Sequence, residues 1–255
     1  MSFLNKFLFL CCFVFLSFVS NALSDTQLYF YTEHRPPFHF IENKEISGFS
    51  TEILKAALEQ TPYIYDLNIY SWSNSYNIAQ KKQNACIYVI ARTPEREKLF
   101  QWTVPLISTE LMFVGLKSNK NIQLNSIEDA KNYRIAVLKD DVSHQLLIKH
   151  GFDENKNMYV YKNSTSVFKL LSTRSNIDLI LTDQISIQNN EKYYQLDPNQ
   201  YKSFFKLTKN PLEFSIACSK QTNPEIVNNL SLSIKRIKDN GTYQKIFDKW
   251  FTAKK

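Results

Sequence analysis

The segment ACIYVIA, Ala85–Ala91, is nearly all apolar, and it decides the class of fold that the sequence predicts. A strand of this kind is expected where both faces of a sheet are covered, as in parallel sheets flanked by helices. Upstream of it, strand patterns at Gln27–Thr32 and 66–70 alternate with helical patterns over 50–60 and 73–82. The first part of the chain therefore predicts successive β-α-β units.

The same alternation continues downstream of this segment. Strands are predicted at 111–117, 134–138, 158–162 and 177–182, and helices at 142–150 and 164–173. Gly151 follows the first of these helices, where a glycine commonly ends a helix. The chain closes with a strand at 214–219 and helices at 224–238 and 243–250. The alternation predicts an α/β fold with mainly parallel sheets.

The first 24 residues have the layout of a secretory signal peptide. Lys6 supplies a positive start, an apolar run covers 7–19, and small residues follow at 20–24. The run is shorter than the roughly 20 residues that a membrane-spanning helix needs, although a retained anchor is the alternative. We therefore expect cleavage after Ala22 or Ser24 and a secreted, periplasmic protein.

Composition and motifs exclude several classes of function. The net charge is +7 and the pI about 9.0, but the basic residues are scattered, so no nucleic-acid partner is expected. Four glycines are too few for a phosphate-binding loop, and the four histidines have no zinc-ligand spacing. Since no nucleophile motif is present either, we expect a protein without cofactor, metal or catalysis.

Four segments, taken in order, resemble the periplasmic amino-acid-binding proteins of ABC importers, solute-binding protein family 3. They are RPPFHFIENKEISGFSTEILKAAL (35–58), RTPEREKLFQW (92–102), NIDLILTD (176–183) and IKDNGTYQKIFDKWF (237–251). The resemblance implies the type 2 periplasmic binding protein fold, two α/β lobes joined by a two-strand hinge. Lobe 1 would contain 25–108 and 213–255, and lobe 2 would contain 109–212, with a ligand in the cleft between them.

The resemblance also bears on the two cysteines that lie beyond the signal peptide. In the family, the strand that returns to lobe 1 lies antiparallel beside the third strand, so Cys86 and Cys218 become neighbours. A disulfide between them is compatible with export to an oxidising compartment. Two buried thiols, one in each strand, are the alternative that the sequence leaves open.

Two charged residues match the ligand-binding residues of the family. Arg96 matches the arginine that binds the α-carboxylate of an amino acid, although pairing with Glu95 or Glu97 would also explain it. Asp183, at the end of a strand, matches the aspartate that receives the ligand's ammonium group, and its alternative role is a helix N-cap. A zwitterion that bridges the two residues would hold the lobes closed.

Other positions depart from the family pattern and leave the ligand open. Arg35 replaces an aromatic residue that covers the ligand, and Ala91 replaces a threonine, which leaves its backbone N–H for binding. In lobe 2, the segment Asp140-Asp141-Val142, followed by Ser143, replaces the usual Gly-Thr-Thr helix start, and acidic residues there compete with an anionic ligand. These substitutions change the expected ligand rather than the expected fold.

Three further residues are candidates in lobe 1. Trp72 is expected either to stack on the ligand or to pack in the core, and Arg92 adds a positive charge beside the site unless it pairs on the surface. Glu33 lies on the first loop, which lines the cleft in the family. Arg35, Arg92 and Arg96 together predict a ligand richer in negative charge than a simple amino acid.

The expected function is capture of a small polar, carboxylate-bearing ligand by a monomer that delivers it to an ABC permease in the inner membrane. A receptor of the same kind that reports to a membrane signalling protein is the alternative. A dehydratase or lyase on the same fold is a further one, and it would need a general acid or base such as Glu33 or Glu110 in the cleft.

Overall fold

A computed structural model describes residues 26–162, 166–208 and 210–252. The predicted signal peptide lies outside these residues. Within them, no helix is both long and apolar enough to cross a bilayer. The strands are β1 (Gln27–Thr32), β2 (Phe40–Glu42), β3 (Glu45–Ser47), β4 (Ile64–Ile69), β5 (Ala85–Ala91), β6 (Phe100–Thr109), β7 (Met112–Leu116), β8 (Ile135–Leu138), β9 (Met158–Tyr161), β10 (Leu179–Thr182), β11 (Tyr201–Lys206) and β12 (Leu212–Ser219).

Helices connect most of these strands. They are α1 (Phe49–Leu58), α2 (Trp72–Lys81), α3 (Pro94–Glu97), α4 (Val142–Lys149), α5 (Val167–Thr173), α6 (Gln184–Gln188), α7 (Asn190–Tyr194), α8 (Pro224–Asp239) and α9 (Thr242–Phe251). Short 3₁₀ turns cover Asp129–Asn132 and Pro198–Gln200. The predicted α/β alternation is confirmed, and β5 has the predicted bounds.

The first lobe is built on a five-stranded sheet in the order β4-β1-β5-β12-β6. Strand β1 pairs in parallel with β4 and β5, whereas β12 is antiparallel to both of its neighbours. All seven residues of β5 are buried, which explains the apolar run in the sequence. Helices α1 and α8 pack on this sheet through buried Ile53, Leu54, Leu230 and Ile234.

The second lobe repeats the layered architecture with a sheet in the order β11-β7-β10-β8-β9. Strands β8, β9 and β10 are parallel, while β7 is antiparallel to β10 and β11. Buried residues cover both faces of this sheet, with Phe168 and Leu171 of α5 in one cluster and Leu147 of α4 in the other. Each lobe therefore has its own packed core.

The chain crosses between the lobes twice, and the two crossings lie side by side. Strand β6 pairs with β12 as far as Thr109 and Leu212, and the N–H of Leu207 then donates to the carbonyl of Leu111 at 2.8 Å. Two adjacent extended segments are the connection expected of a hinge. We propose 108/109 and 212/213 as the lobe boundaries.

The turn that carries Arg35 is fixed by hydrogen bonds with the start of α1. The N–H groups of Phe49 and Ser50 donate to the carbonyls of Pro37 and Phe38 at 2.9 and 2.8 Å. Gly48 lies between the two segments with φ +122, and an added Cβ would stand 2.4 Å from the Phe38 carbonyl oxygen. Only glycine fits this close approach, which keeps the first loop against the lobe.

Cys86 and Cys218 form a disulfide bond. The two residues are direct partners in the antiparallel register of β5 and β12, and both are fully buried. The bond joins residues that are 132 positions apart in the sequence. It therefore links the two separate chain segments that make up the first lobe.

Candidate ligand-binding site

The ends of parallel strands from both lobes meet at one cavity. In α/β folds, the loops that follow the carboxyl ends of parallel strands commonly bind ligands. The first lobe contributes the loop after β1, and the second contributes residues at or after the ends of β8, β9 and β10 together with the start of α5. The cavity of about 90 Å³ is lined by Glu33, His34, Arg35, Pro36, Leu138, Asp141, Tyr161, Ser166, Val167, Phe168, Leu181, Thr182, Ser186 and Tyr194.

Glu33 and Asp141 bring two carboxylates to this cavity from opposite lobes. Burial, followed by the charge of Asp141, raises the pKa of Glu33 to about 8, while Arg35 acts in the opposite direction. Asp141 is the N-cap of α4, and its carboxylate accepts a hydrogen bond from the N–H of Val142 at 2.5 Å. The pair makes this part of the cavity suited to a positive group.

Arg35 spans the gap between the lobes. Its Nη2 donates to Oδ2 of Asp183 at 2.7 Å, and the guanidinium carbon lies 5.1 Å from the centre of the Phe38 ring. The Arg35 side chain keeps 27% of its surface exposed, whereas the Asp183 side chain is fully buried. This charged pair joins the first loop of lobe 1 to the end of β10 in lobe 2.

Asp183 has no surface left for a ligand in this arrangement. Its Oδ1 accepts from the Ser186 N–H at 2.9 Å, and its Oδ2 accepts from the Ser186 hydroxyl at 2.9 Å as well as from Arg35. The residue caps α6, so the N-cap role that the sequence leaves open is present. The position expected to receive a ligand's ammonium group is filled by an arginine of the same chain.

Arg96 lies close to the cleft but does not line the cavity. It is 1% exposed, and its two Nη atoms donate to the carbonyls of Ala91 at 3.2 Å and Asp140 at 3.1 Å. Its guanidinium carbon lies 5.3 Å from the Trp72 ring centre and 5.4 Å from that of Tyr76. Burial lowers the pKa of Arg96, an effect that Asp141 and Tyr76 oppose.

The other predicted site residues fall into two groups. Trp72, Ala91 and Ser143 are buried near Arg96 or in α4 and are absent from the cavity lining. Arg92 lies on the surface, where it forms a two-bond ion pair with Glu97 at 2.6 and 2.8 Å. Of the three arginines that predict a strongly anionic ligand, the structure therefore places only Arg35 at the cavity.

Sequence reasoning missed the aromatic side of the cavity, which lobe 2 supplies. Tyr161, Phe168 and Tyr194 line it together with Ser166. Burial, then the charges of Glu33 and Asp141, raises the pKa of Tyr161, so its hydroxyl stays protonated near the carboxylates. Tyr161 is the last residue of a parallel strand, and this position in the sequence could have indicated a site residue. Tyr194 is the last residue of the short helix α7, which gives no comparable indication.

The two lobes also contact each other around the cavity. Lys149 of lobe 2 pairs with Glu95 of lobe 1 at 2.9 Å, and Ser73 donates to Asp140 at 3.4 Å. On the other side, the Phe40 and Tyr193 rings lie 4.8 Å apart between centres. These contacts, with the Arg35–Asp183 pair, describe a closed arrangement of the lobes.

No group of three metal-ligating side chains occurs within the described residues. Two α/β lobes, two adjacent crossings and a charged cavity between the lobes define a type 2 periplasmic binding protein. The family model "Bacterial extracellular solute-binding proteins, family 3" matches residues 29–253. The chain belongs to this family of solute-binding proteins.

Individual proteins agree with this assignment. The chain is 26% identical over 227 residues to "ABC transporter arginine-binding protein 1" of Escherichia coli, covering 85% of this chain and 86% of that protein. It is 23% identical over 225 residues to "Arginine-binding extracellular protein ArtP" of Bacillus subtilis, covering 86% and 83%. An ancestral arginine-binding protein solved with arginine has a TM-score of 0.76 at 22% identity, over 91% and 100% of the chains. The last likeness concerns the fold alone.

Proposed function

We propose that the protein captures a cationic amino acid in the cavity between its lobes and delivers it to an ABC permease in the inner membrane. In this proposal it acts in the periplasm as a monomer and carries out no reaction on its ligand. The observation that carries the proposal is the pair of carboxylates, Glu33 and Asp141, that face one cavity from opposite lobes.

The balance of charge at the cavity favours a ligand with a positive group. Arg35 is already paired with Asp183, so its charge is largely compensated. Glu33 and Asp141 then remain without a cation of their own among the described hydrogen bonds, and each would gain from a ligand ammonium or guanidinium. A dicarboxylate would place like charges together and is disfavoured.

The names of the relatives agree with this choice of ligand. Two of the relatives that match over most of their length are described as arginine-binding proteins, one of an ABC transporter and one extracellular, and another is described as a probable histidine-binding protein. A ligand that contacts carboxylates of both lobes makes its full set of contacts only when the lobes are closed, so its binding favours closure. Closure is the change that a permease of this transport class would recognise.

A thermal-shift screen tests the proposal on the protein secreted into the periplasm of an expression host. The panel contains L-arginine, L-lysine, L-histidine, the neutral amino acids, L-glutamate and succinate. A ligand present at 100 times its Kd stabilises the folded state by about 2.7 kcal/mol, or roughly 5–10 °C for a chain of this size. We expect shifts of this size for cationic amino acids.

Two controls make the screen specific. The variant Glu33→Gln should lose most of the shift, and the variant Arg92→Gln, which removes an arginine from the surface, should keep it. Stabilisation by L-glutamate or succinate alone would contradict the proposed cationic ligand and indicate an anionic one. If no compound of the panel raises the melting temperature, the proposal that the protein binds an amino acid is wrong. Uptake of the labelled ligand, lowered in a strain that lacks the gene, tests the transport step.

A further inference from the structure

We infer that Cys86 and Cys218 are joined in two exchange steps with a disulfide-carrying oxidoreductase, that Cys86 reacts first, and that the core of lobe 1 closes only after the second step. This inference concerns a reaction partner of the exported chain before it is folded. It requires export to an oxidising compartment and does not depend on the proposed ligand. Its basis is the order of the two cysteines in the sequence and their burial in the sheet of lobe 1.

The disulfide is closed to external thiols in the folded protein. Both cysteines are 0% exposed, and they belong to the buried cluster that includes Ile53 of α1 and Leu230 of α8. A disulfide forms or breaks when a third sulfur attacks one of its two sulfurs and makes a mixed disulfide, so this sulfur must reach the bond. The packed sheet and helices prevent such an approach. The bond is therefore made before α1 and α8 pack on the sheet.

The order of the two cysteines in the chain decides which one reacts first. They are the only cysteines beyond the predicted signal peptide, and 132 positions separate them. A chain whose export is led by its N-terminal signal delivers Cys86 to the oxidising compartment well before Cys218. The whole of lobe 2 lies between the two residues, and its sequence contains no cysteine. Cys86 therefore meets an oxidant while no second thiol of the same chain is present.

The chemistry consists of two thiol–disulfide exchanges. In the first, the Cys86 thiolate attacks one sulfur of the oxidoreductase disulfide, which breaks and releases its other sulfur as a thiolate. In the second, the Cys218 thiolate attacks the Cys86 sulfur, so the bond between the two cysteines forms and the oxidoreductase leaves. Two electrons and two protons pass from the two cysteines to the oxidoreductase, which ends as a dithiol.

The mixed disulfide on Cys86 keeps lobe 1 open until Cys218 resolves it. Cys86 and Cys218 are direct partners in the register of β5 and β12, so a protein attached to Cys86 occupies the place of β12. The cleft lies at the other end of β5, where the carbonyl of Ala91 accepts from Arg96, about 17 Å along the strand from Cys86. The exchange therefore controls the assembly of lobe 1 and leaves the cavity residues untouched.

A trapping experiment tests the first step on the full-length chain, exported in an expression host and quenched with acid. The variant Cys218→Ala leaves Cys86 without a resolving thiol, so an adduct of higher mass should accumulate on non-reducing gels to roughly ten times the wild-type level and disappear with dithiothreitol. The variant Cys86→Ala/Cys218→Ala, the matched control, should give no adduct. In the pulse-labelled wild type, mass spectrometry should find the transient adduct on Cys86. This measurement does not require a folded variant.

A second experiment tests burial on the purified, secreted wild-type protein. Dithiothreitol is added with and without urea, and new thiols are alkylated and counted by mass. Reduction should be roughly 100-fold or more slower without urea, because the bond becomes accessible only when lobe 1 unfolds. Equal rates in both conditions, an adduct on Cys218 in the wild type, or no adduct in Cys218→Ala would each overturn the inference. None of these results bears on the ligand, which the thermal-shift screen tests separately.

Discussion

Glu33 should make the stability of the ligand-free protein fall as the pH rises. Burial of its carboxyl group in the closed cleft, near Asp141, raises its pKa from 4.5 to about 8. Between these two values the folded, closed state holds a proton that a solvated Glu33 has already lost. The contribution of this group is thus complete below pH 4.5 and is lost as the pH rises to 8.

The size of the effect follows from the two pKa values. A difference of one pKa unit corresponds to 1.36 kcal/mol, so the shift is worth about 5 kcal/mol at most. If the lobes open before the chain unfolds, Glu33 becomes solvated in the open state. The loss of stability then cannot exceed the free energy that favours closed over open lobes. At about 2–4 °C per kcal/mol, the melting temperature should fall by on the order of 10 °C, or less if the lobes open first.

The assay compares the wild-type protein with Glu33→Gln, which keeps the shape of the side chain and has no proton to lose. Melting temperatures are recorded from pH 5 to pH 9, and the difference between the two proteins removes the titration of all other groups. Small-angle scattering of the same samples measures lobe opening through the radius of gyration. Parallel melting profiles across this range, with an unchanged radius in both proteins, would refute a buried, protonated Glu33.

Three further results are expected. The Kd of L-arginine should fall by up to tenfold per pH unit between pH 6 and pH 8, because binding ionises Glu33, and Glu33→Gln should lose this dependence in titration calorimetry. Replacing Cys86 and Cys218 together by serine should lower the free energy of unfolding in urea by about 4–5 kcal/mol on the chain-entropy model, and equal stability of the two proteins would contradict the covalent link. Breaking the exposed Arg92–Glu97 pair with Arg92→Gln should change stability by less than about 1 kcal/mol, and a larger loss would mean that the pair is not a surface contact.

The buried strands could be predicted because burial on both faces leaves a continuous apolar run, as in β5 and β10. Strands β6 and β11, which have no prediction, each lie at one edge of a five-stranded sheet. An outer strand is covered on fewer sides, so it tolerates Pro105 in β6 and the exposed lysines Lys202 and Lys206 in β11. Such strands lack the periodic signal on which sequence prediction depends.

The candidate site shows a different limit of prediction from sequence. The resemblance predicts that Arg96 and Asp183 bind the ligand, and both residues make contacts between the lobes, but neither lines the cavity in this arrangement. Whether Arg35 reaches Asp183 is decided by the closed arrangement of segments that are 148 residues apart. Local patterns carry no information on such a distance, so a sequence can indicate the charged residues of a cleft without showing which ones a ligand meets.

The Cys86–Cys218 bond also has a consequence for how the molecule withstands proteolysis. Lobe 2 is an insertion in the chain between β6 and β12. The disulfide lies in the sheet of lobe 1 and joins the chain segment before this insertion to the segment after it. A protease that cut both crossings would release the inserted lobe, while the two remaining fragments would stay covalently attached as one folded body. The disulfide therefore joins the two chain segments of lobe 1 covalently, whereas the two crossings are the covalent connection of lobe 2 to lobe 1.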